Sequence, residues 1–503
     1  MTDILTEIIN RRSSDMEKLG VNFGFDIPLV RRRKLHPFLL DCDGAKKRGV
    51  ILEVKRASPS KGDIAPDLDA GKTALSYTQA GAAAISCLTE KNFFKGSLED
   101  LMQVCRTLDS YESQSACHIP AVLRKDFLLD PEEIEISYRA GADAVLLIAR
   151  ILEADVMVKM AEKAADYGMT SLVEVRNDQD LDKLTELVKA FDSTGRNKSL
   201  IACGVNSRDL ATFNIDLLKP CTMLSEIKSI LGKDSRVIFE SGIRSPRASS
   251  FVGGLGFSGL LLGESAAKNP DIREEVVKSF VQASQTKNAD FWKRYASTLR
   301  NSGQRPKVKI CGLTQSKDLL YSDSLGADFV GFIFADGFER NVAGQKFQEL
   351  MPALKTVKAI KVAVVTNLDS AQTEEAISYV QEGILDCLQL HGIPCDAVPE
   401  SILSLPHYFA ITDRQVDLDG EAEKLFLMGE SRFLQDSKSQ AYTTRHKLWM
   451  AGGVTAENAG GLSEKYIPEL IDLSSGIEDE GRPGIKNHEK MKLLMDSLKS
   501  VPQ

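Results

Sequence analysis

Short apolar runs alternate with amphipathic stretches along the whole chain. Eight runs read as strands in the first half: Val50–Lys55, Ala83–Leu88, Ala121–Asp126, Ala144–Ala149, Ser171–Val175, Leu200–Asn206, Val237–Ser241 and Gly259–Gly263. Eight more follow: Val308–Cys311, Phe329–Phe334, Ile360–Val365, Cys387–Leu390, Tyr408–Ile411, Phe433–Gln435, Leu448–Met450 and Leu470–Leu473. Most are continuously apolar rather than strictly alternating, as expected of parallel strands covered on both faces. Interleaved helical segments favour a parallel sheet, and eight βα units per half favour closed barrels over open sheets. The predicted class is α/β, with two fused (β/α)8 TIM barrels. The expected division is a barrel at 1–285, a polar linker at 286–306 and a barrel at 307–503. The linker carries helical content docked by Phe291 and Trp292 and ends Asn301-Ser302-Gly303-Gln304-Arg305-Pro306. Ile4, Ile8 and Ile9 space helically and predict an N-terminal helical extension on the first barrel. The basic run Arg31-Arg32-Arg33-Lys34 reads as a solvated face.

Polar groups collect at the predicted strand ends. Glu53 and Lys55 lie two apart on one strand and share a face, where a barrel places catalytic groups. Taken alone, the pair also reads as a surface ion pair on an edge strand. The series continues with Lys125, Glu174, Asn206 and Arg208, Glu240-Ser241-Gly242, and Gly263-Glu264-Ser265. Buried charges are costly unless paired, so two lysines and three glutamates at odd strands point to a site. In the second half Lys309 and Cys311 share a strand face. A thiolate beside a lysine would serve as a base, although Cys at a strand end also reads as a small buried hydrophobe. Asp436 is the acid candidate there, with a helix N-cap as its other reading. The turns Ser241-Gly242, Gly263-Glu264-Ser265, Gly452-Gly453 and Ser474-Ser475-Gly476 expose backbone N–H groups suited to phosphate.

Bulk properties narrow the picture. The chain has 503 residues, 43% hydrophobic and 27% charged, within the range of ordinary soluble proteins. A net charge of -8 argues against a general nucleic-acid binder. An anionic substrate then needs a locally positive or backbone-built site. Nine scattered cysteines show no metal-ligand spacing and read as free thiols in a reducing cytosol. No secretory signal or membrane-spanning run is visible. The expectation is a cytoplasmic enzyme without metal, organic cofactor, nucleic acid or membrane, compatible with a monomer.

The first half resembles indole-3-glycerol-phosphate synthase. The resemblance rests on Glu53-Val-Lys55-Arg-Ala-Ser58-Pro-Ser60-Lys61-Gly62, on Leu88-Thr-Glu90 through Phe94-Lys-Gly-Ser97, and on Leu-Arg-Lys125-Asp-Phe127. It continues through Val-Glu174-Val, Asn206-Ser-Arg208-Asp-Leu, Glu240-Ser241-Gly242-Ile and Gly263-Glu264-Ser265. It implies decarboxylating ring closure of 1-(2-carboxyphenylamino)-1-deoxyribulose 5-phosphate to indole-3-glycerol phosphate. By that resemblance Lys125 is the general acid, Glu174 the general base, and Glu53, Lys55 and Asn206 act beside them. Phe94 and Phe127 would pack on the anthranilate ring, with Ser58, Arg208, Glu240 and the Gly/Ser turns binding substrate. Ring closure needs a proton for a departing oxygen and a base for the new ring. A lysine supplies the acid if a neighbouring lysine and burial lower its pKa.

The second half resembles phosphoribosylanthranilate isomerase. The matching pieces are Lys309-Ile-Cys311-Gly-Leu-Thr314, Gly326 to Phe334, Gln389-Leu-His391-Gly392, Ala451-Gly452-Gly453, and Asp472-Leu-Ser474-Ser475-Gly476 with Pro483 to Lys486. They imply an Amadori rearrangement of N-(5-phosphoribosyl)anthranilate, whose product is the first half's substrate. By resemblance Cys311 is the base, Asp436 the acid, Arg340 the partner of the anthranilate carboxylate, and His391 a substrate contact. Two departures stand out. Phe338-Glu339-Arg340 replaces the family's Ser-Pro-Arg, and the Gly-Gly-Thr-Gly segment after the acid's strand is missing. The short, partly basic stretch Ser437–Lys447 takes its place, with Thr443, Thr444 or Arg445 as substitute contacts. The alternative for this half is a weakly catalytic or purely structural barrel.

Overall fold

The computed structural model describes residues 4–40, 47–113, 119–208, 214–300, 305–413 and 417–499. The chain forms two compact units, Met1–Ser284 and Gln285–Gln503. In the first, eight parallel strands close into a barrel. They are β1 (Gly49–Val54), β2 (Ala84–Leu88), β3 (Ala121–Lys125), β4 (Ala144–Ile148), β5 (Thr170–Val175), β6 (Ile201–Asn206), β7 (Arg236–Glu240) and β8 (Gly259–Leu262). β8 returns to β1, with Gly49–Leu52 opposite Gly259–Leu262. β1, β2, β4 and β5 are buried at every position, which explains their unbroken apolar sequence. The register aligns the polar strand ends. Leu88 lies opposite Lys125, Ile148 opposite Glu174 and Asn206 opposite Glu240. Side chains that are far apart in sequence are thereby brought to one rim.

The N-terminal extension forms a helix, Ile4–Leu19, that buries Leu5 and Ile8. Its Arg12 is 4% exposed and pairs with Asp126 at 2.8 Å and with Glu133. Arg124, fully buried on β3, lies 3.2 Å from Asp126 and 3.4 Å from Glu133. Two arginines thus face two carboxylates, which makes the burial tolerable. The basic run is not a solvated face throughout. Arg32 and Lys34 are exposed, but Arg31 and Arg33 turn inward, and both pair with the buried Asp143. A carboxylate with no exposure draws the two guanidinium groups in, because its charge would otherwise be uncompensated.

The second unit closes a barrel of β9 (Lys307–Cys311), β10 (Phe329–Ile333), β11 (Ile360–Val365), β12 (Cys387–His391), β13 (His407–Thr412), β14 (Phe433–Asp436), β15 (Trp449–Ala451) and β16 (Leu470–Leu473). One crossover departs from the pattern, because no helix lies between β14 and β15. The intervening chain runs as a strap. The buried Gln435 amide donates to the Thr443 carbonyl at 3.0 Å and accepts the Thr443 N–H at 2.9 Å. His446 stacks on Phe426 with ring centroids 4.5 Å apart. The helix Lys287–Arg300 buries Phe291, Trp292 and Tyr295. Its Trp292 ring packs 5.9 Å from that of Trp449, and the Tyr295 hydroxyl donates to Glu469 at 2.8 Å. Asn301 to Gln304 of the expected linker lie outside the described residues.

Seven described cysteines are free and buried. Among the described residues no helix is long and apolar enough to cross a membrane. No group of three His, Cys, Asp or Glu side chains among them is placed to hold a metal ion.

Removing one partner of a buried ion pair strands the others. Arg12→Ala is therefore expected to destabilise the first unit by about 3–5 kcal/mol. The check is urea unfolding followed by far-ultraviolet circular dichroism; an unchanged midpoint would show that the N-terminal helix is not held by this pair.

Candidate active sites

A cavity opens at the C-terminal rim of the first barrel. It is lined by every first-half candidate: Glu53, Lys55, Ser58, Phe94, Lys125, Phe127, Glu174, Asn206, Arg208, Glu240, Ser241, Gly242, Gly263, Glu264 and Ser265. The continuation of the Asn206 motif, Asp209 and Leu210, lies outside the described residues. The cavity also takes in groups that strand reading passed over. Ile4, Leu5 and Ile8 of the N-terminal helix form an apolar part of its lining, and Arg150, Arg176 and Arg244 add positive charge. Arg176 had a readable signal, since it follows Glu174 at the same i, i+2 spacing as Glu53 and Lys55.

Each lysine in the cavity has its own carboxylate. Lys55 Nζ donates to Glu53 Oε1 at 2.9 Å. A Cβ on Gly263 would come within 2.6 Å of that oxygen, so a side chain here would push the Glu53 carboxylate aside. Lys125 Nζ lies 3.2 Å from Glu240 Oε2 and 3.8 Å from Glu174 Oε2. A neighbouring lysine and burial do not lower the Lys125 pKa as expected. Burial does push it down, but Glu240, Glu174 and Glu53 outweigh burial, and the ammonium is stabilised. Burial would raise Glu174, yet Arg176 and Lys125 hold it below the usual glutamate value. Glu240 goes the other way: burial and the charge of Glu174 overcome Lys125 and push it up to about 7. Two glutamates at one lysine are therefore driven apart, one as a carboxylate and one ready to hold a proton.

The cavity has an aromatic side and an anion side. The Phe94 and Phe127 rings lie 5.9 Å apart, and Lys55 Nζ stands 5.6 Å from the Phe94 centroid. Buried Glu90 fixes that loop by accepting the N–H groups of Asn92, Phe93 and Phe94 at 2.7–3.0 Å. Ser241 and Gly242 carry φ of 73° and 88°, a left-handed pair that a non-glycine residue adopts only when held. Ser207 Oγ donates to the Ser241 carbonyl at 3.0 Å and supplies that hold.

In the second barrel Lys309 is fully buried. Its Nζ lies 2.6 Å from Asp472 Oδ2, 2.6 Å from Gln389 Oε1 and 3.4 Å from Cys311 Sγ. The expected thiolate does not follow from this neighbour. Burial raises Cys311 more than Lys309 lowers it, so the resting group is a thiol. Asp436 is also raised by burial, against the opposing pull of His391, whose Nε2 lies 3.7 Å from Asp436 Oδ2. No helix follows Asp436, which removes its N-cap reading. Arg340 forks onto Glu478 at 2.8 and 2.5 Å, and Lys486 Nζ meets the same carboxylate at 2.9 Å and the Ser474 carbonyl at 3.0 Å. Gly452 sits so close to Asp436 that a Cβ would fall 2.6 Å from Oδ1. The strap folds back over this turn. Gln440 donates to the Gly453 carbonyl at 2.9 Å, and the Tyr442 hydroxyl lies 2.8 Å from the Ala451 carbonyl and 3.1 Å from that of Gly452. The Thr443 backbone is the part that pairs with Gln435, its hydroxyl accepts the Arg445 N–H at 3.5 Å, and Thr444 and Arg445 are exposed. Ser475 and Gly476 lie in a short turn after β16, with Gly476 packed against the Val454 carbonyl.

Residues 5–279 match the family model of indole-3-glycerol phosphate synthase, and residues 308–497 match that of N-(5'-phosphoribosyl)anthranilate isomerase. The multifunctional tryptophan biosynthesis protein of Schizosaccharomyces pombe is 28% identical over 501 residues, covering 90% of this chain and 60% of that protein. Its namesake in Phanerodontia chrysosporium is 29% identical over 584 residues, covering 99% of this chain and 70% of that protein. The indole-3-glycerol phosphate synthase of Rhodopirellula baltica is 38% identical over 251 residues, covering 49% of this chain and 84% of that protein. The chain thus spans less than two thirds of the fission-yeast relative's length. The two family matches fall one in each barrel, and the chain belongs to the indole-3-glycerol phosphate synthase family, fused to a domain of the phosphoribosylanthranilate isomerase family.

Proposed function

We propose that the chain performs two consecutive steps of tryptophan biosynthesis in the cytoplasm: Amadori isomerisation of N-(5-phosphoribosyl)anthranilate, then decarboxylating ring closure of its product. Residues 1–285 take the synthase role, 286–306 the linker and 307–503 the isomerase role. Each barrel carries its own strand-end groups, so a monomer suffices. The observation that carries the synthase reading is Lys125 held between Glu174 and Glu240 at the rim. Lys125 is the proton donor to the departing oxygen, and its stabilised ammonium is already in the donating form. Glu174, kept ionised, removes the ring proton. The Phe94–Phe127 pair receives the anthranilate ring, while Arg208 and the turns at Ser241-Gly242 and Gly263–Ser265 bind the phosphosugar.

In the second barrel Asp436 donates and Cys311 accepts. An Amadori rearrangement protonates the sugar ring oxygen and removes the C2 proton, so it needs an acid and a base. The raised Asp436 suits the acid. Cys311 rests as a thiol, so the thiolate that accepts the C2 proton is the minor form. Arg340, His391 and the turns at Gly452-Gly453 and Ser474–Gly476 complete substrate binding. One observation favours a second reading, a weak or structural barrel. The strap that replaces the sixth helix bends onto the Gly452-Gly453 turn and supplies no glycine loop for substrate.

Lys125→Ala is expected to lower synthase turnover by about 10²–10⁴ with the fold intact. Near wild-type turnover in a folded variant would remove Lys125 from the acid role. Cys311→Ser and Asp436→Asn are each expected to abolish most isomerase activity and leave ring closure unchanged. Steady-state assays of the two half reactions on one preparation decide this. A wild-type chain that converts no phosphoribosylanthranilate, yet closes the ring of the isomerised product, would establish the structural reading of the second barrel.

A further inference from the structure

We propose that Arg176 is a positioning residue that holds Glu174 by one carboxylate oxygen and keeps it ionised; this rests on the reading of Glu174 as the base. Arg176 follows β5, two residues beyond Glu174. Its Nε and Nη2 donate at 3.0 and 2.7 Å, both to Glu174 Oε1. The end-on clamp takes Oε1; Oε2 lies 3.8 Å from Lys125 Nζ, and the carboxylate also has a hydrogen bond with Glu240.

The backbone behind the clamp is itself fixed. The Arg176 N–H is accepted by Asp180 Oδ2 at 2.8 Å, and the Asp180 N–H by Asn177 Oδ1 at 2.9 Å. These bonds tie Arg176 to the start of the helix Asp178–Thr194, whose N-cap is Asn177. The guanidinium therefore approaches Glu174 from an anchored main chain.

Charge balance gives the clamp its effect. Glu174 is faced by Arg176 from its own strand end, Lys125 from β3 and Glu240 from β7. Glu53 on β1 pairs with Lys55 just beyond it, and Asp180 faces Arg176 from the following helix. Two carboxylates then meet two cations. Without Arg176, Glu174 and Glu240 share Lys125 alone, and a buried excess negative charge is relieved by taking up a proton. Both glutamates are then candidates for that proton. With Arg176 present, Glu240 is the one pushed up to about 7, and Glu174 is held down. The arginine thus decides which glutamate is the base.

The test uses the full chain in two measurements. In protein carrying glutamate labelled with carbon-13 at Cδ, the Glu174 signal is identified by its loss in Glu174→Gln. Its titration midpoint is expected to rise by about one pH unit or more in Arg176→Gln. Arg176→Lys, which keeps the charge and loses the fork, is expected to fall between that variant and wild type. In ring-closure kinetics the acid limb of kcat should move upward in pH by a similar amount, with kcat at acid pH falling roughly tenfold. KM should stay within about twofold. An unmoved Glu174 midpoint in a folded Arg176→Gln or Arg176→Lys protein overturns the proposal. So does a loss of activity confined to KM with the acid limb in place, which would make Arg176 a substrate contact. The titration needs no turnover, so a wild-type chain without synthase activity would refute the ring-closure reading and still leave the role of Arg176 decided.

Discussion

The interaction on which the architecture turns is the neutralisation of buried cations by carboxylates that the fold brings against them. Lys309 is wholly enclosed and tolerable only because Asp472 reaches it from β16. Lys125 relies on glutamates from β5 and β7. Behind the rim, Arg12 and Arg124 face Asp126 and Glu133, and Arg31 and Arg33 face Asp143. Unpaired, any of these charges would be costly to bury. Strand register, helix docking and cavity electrostatics are therefore not independent, since a shift in register that parted one pair would strand its charge.

That dependence explains what was legible beforehand. Strand positions came through within a residue or so; Ile360–Val365 and Leu470–Leu473 coincide with the expected runs. Doubly covered parallel strands leave a continuous apolar signature, and short polar turns end it. The gathering of the strand-end candidates into one cavity also follows from barrel geometry. Their partners do not, because pairing depends on contacts distant in sequence. Arg31 and Arg33 look solvated in sequence because Asp143 lies more than a hundred positions away. The sequence suggests a second lysine as the dominant neighbour of Lys125, whereas register delivers glutamates. A thiol beside a lysine suggested a thiolate, but Lys309 is already engaged by Asp472 and Gln389, and burial decides the outcome.

The strap between β14 and β15 shows the limit of reading by family pattern. The unusual stretch Ser437–Lys447 was visible in the sequence. Its structural consequence, the loss of a whole crossover helix, was not. A single buried amide, Gln435, takes over part of the helix's role by pairing with the Thr443 backbone. The outer face of β14 and β15 is closed by side chains such as Tyr442 and His446 rather than by a helical stripe. Local polar anchoring has replaced periodic apolar packing.

The two tryptophans give the molecule an uneven optical character. The chain contains only Trp292 and Trp449, and both sit in the second unit with 1% and 0% exposure. Their rings are 5.9 Å apart, beside Tyr295 and Phe329. Tryptophan emission is therefore a local reporter on the packing between the helix Lys287–Arg300 and the second barrel's strands. The first barrel, with its cavity of paired charges, contributes no tryptophan light, and its loosening would pass unseen in the signal that most readily follows its neighbour.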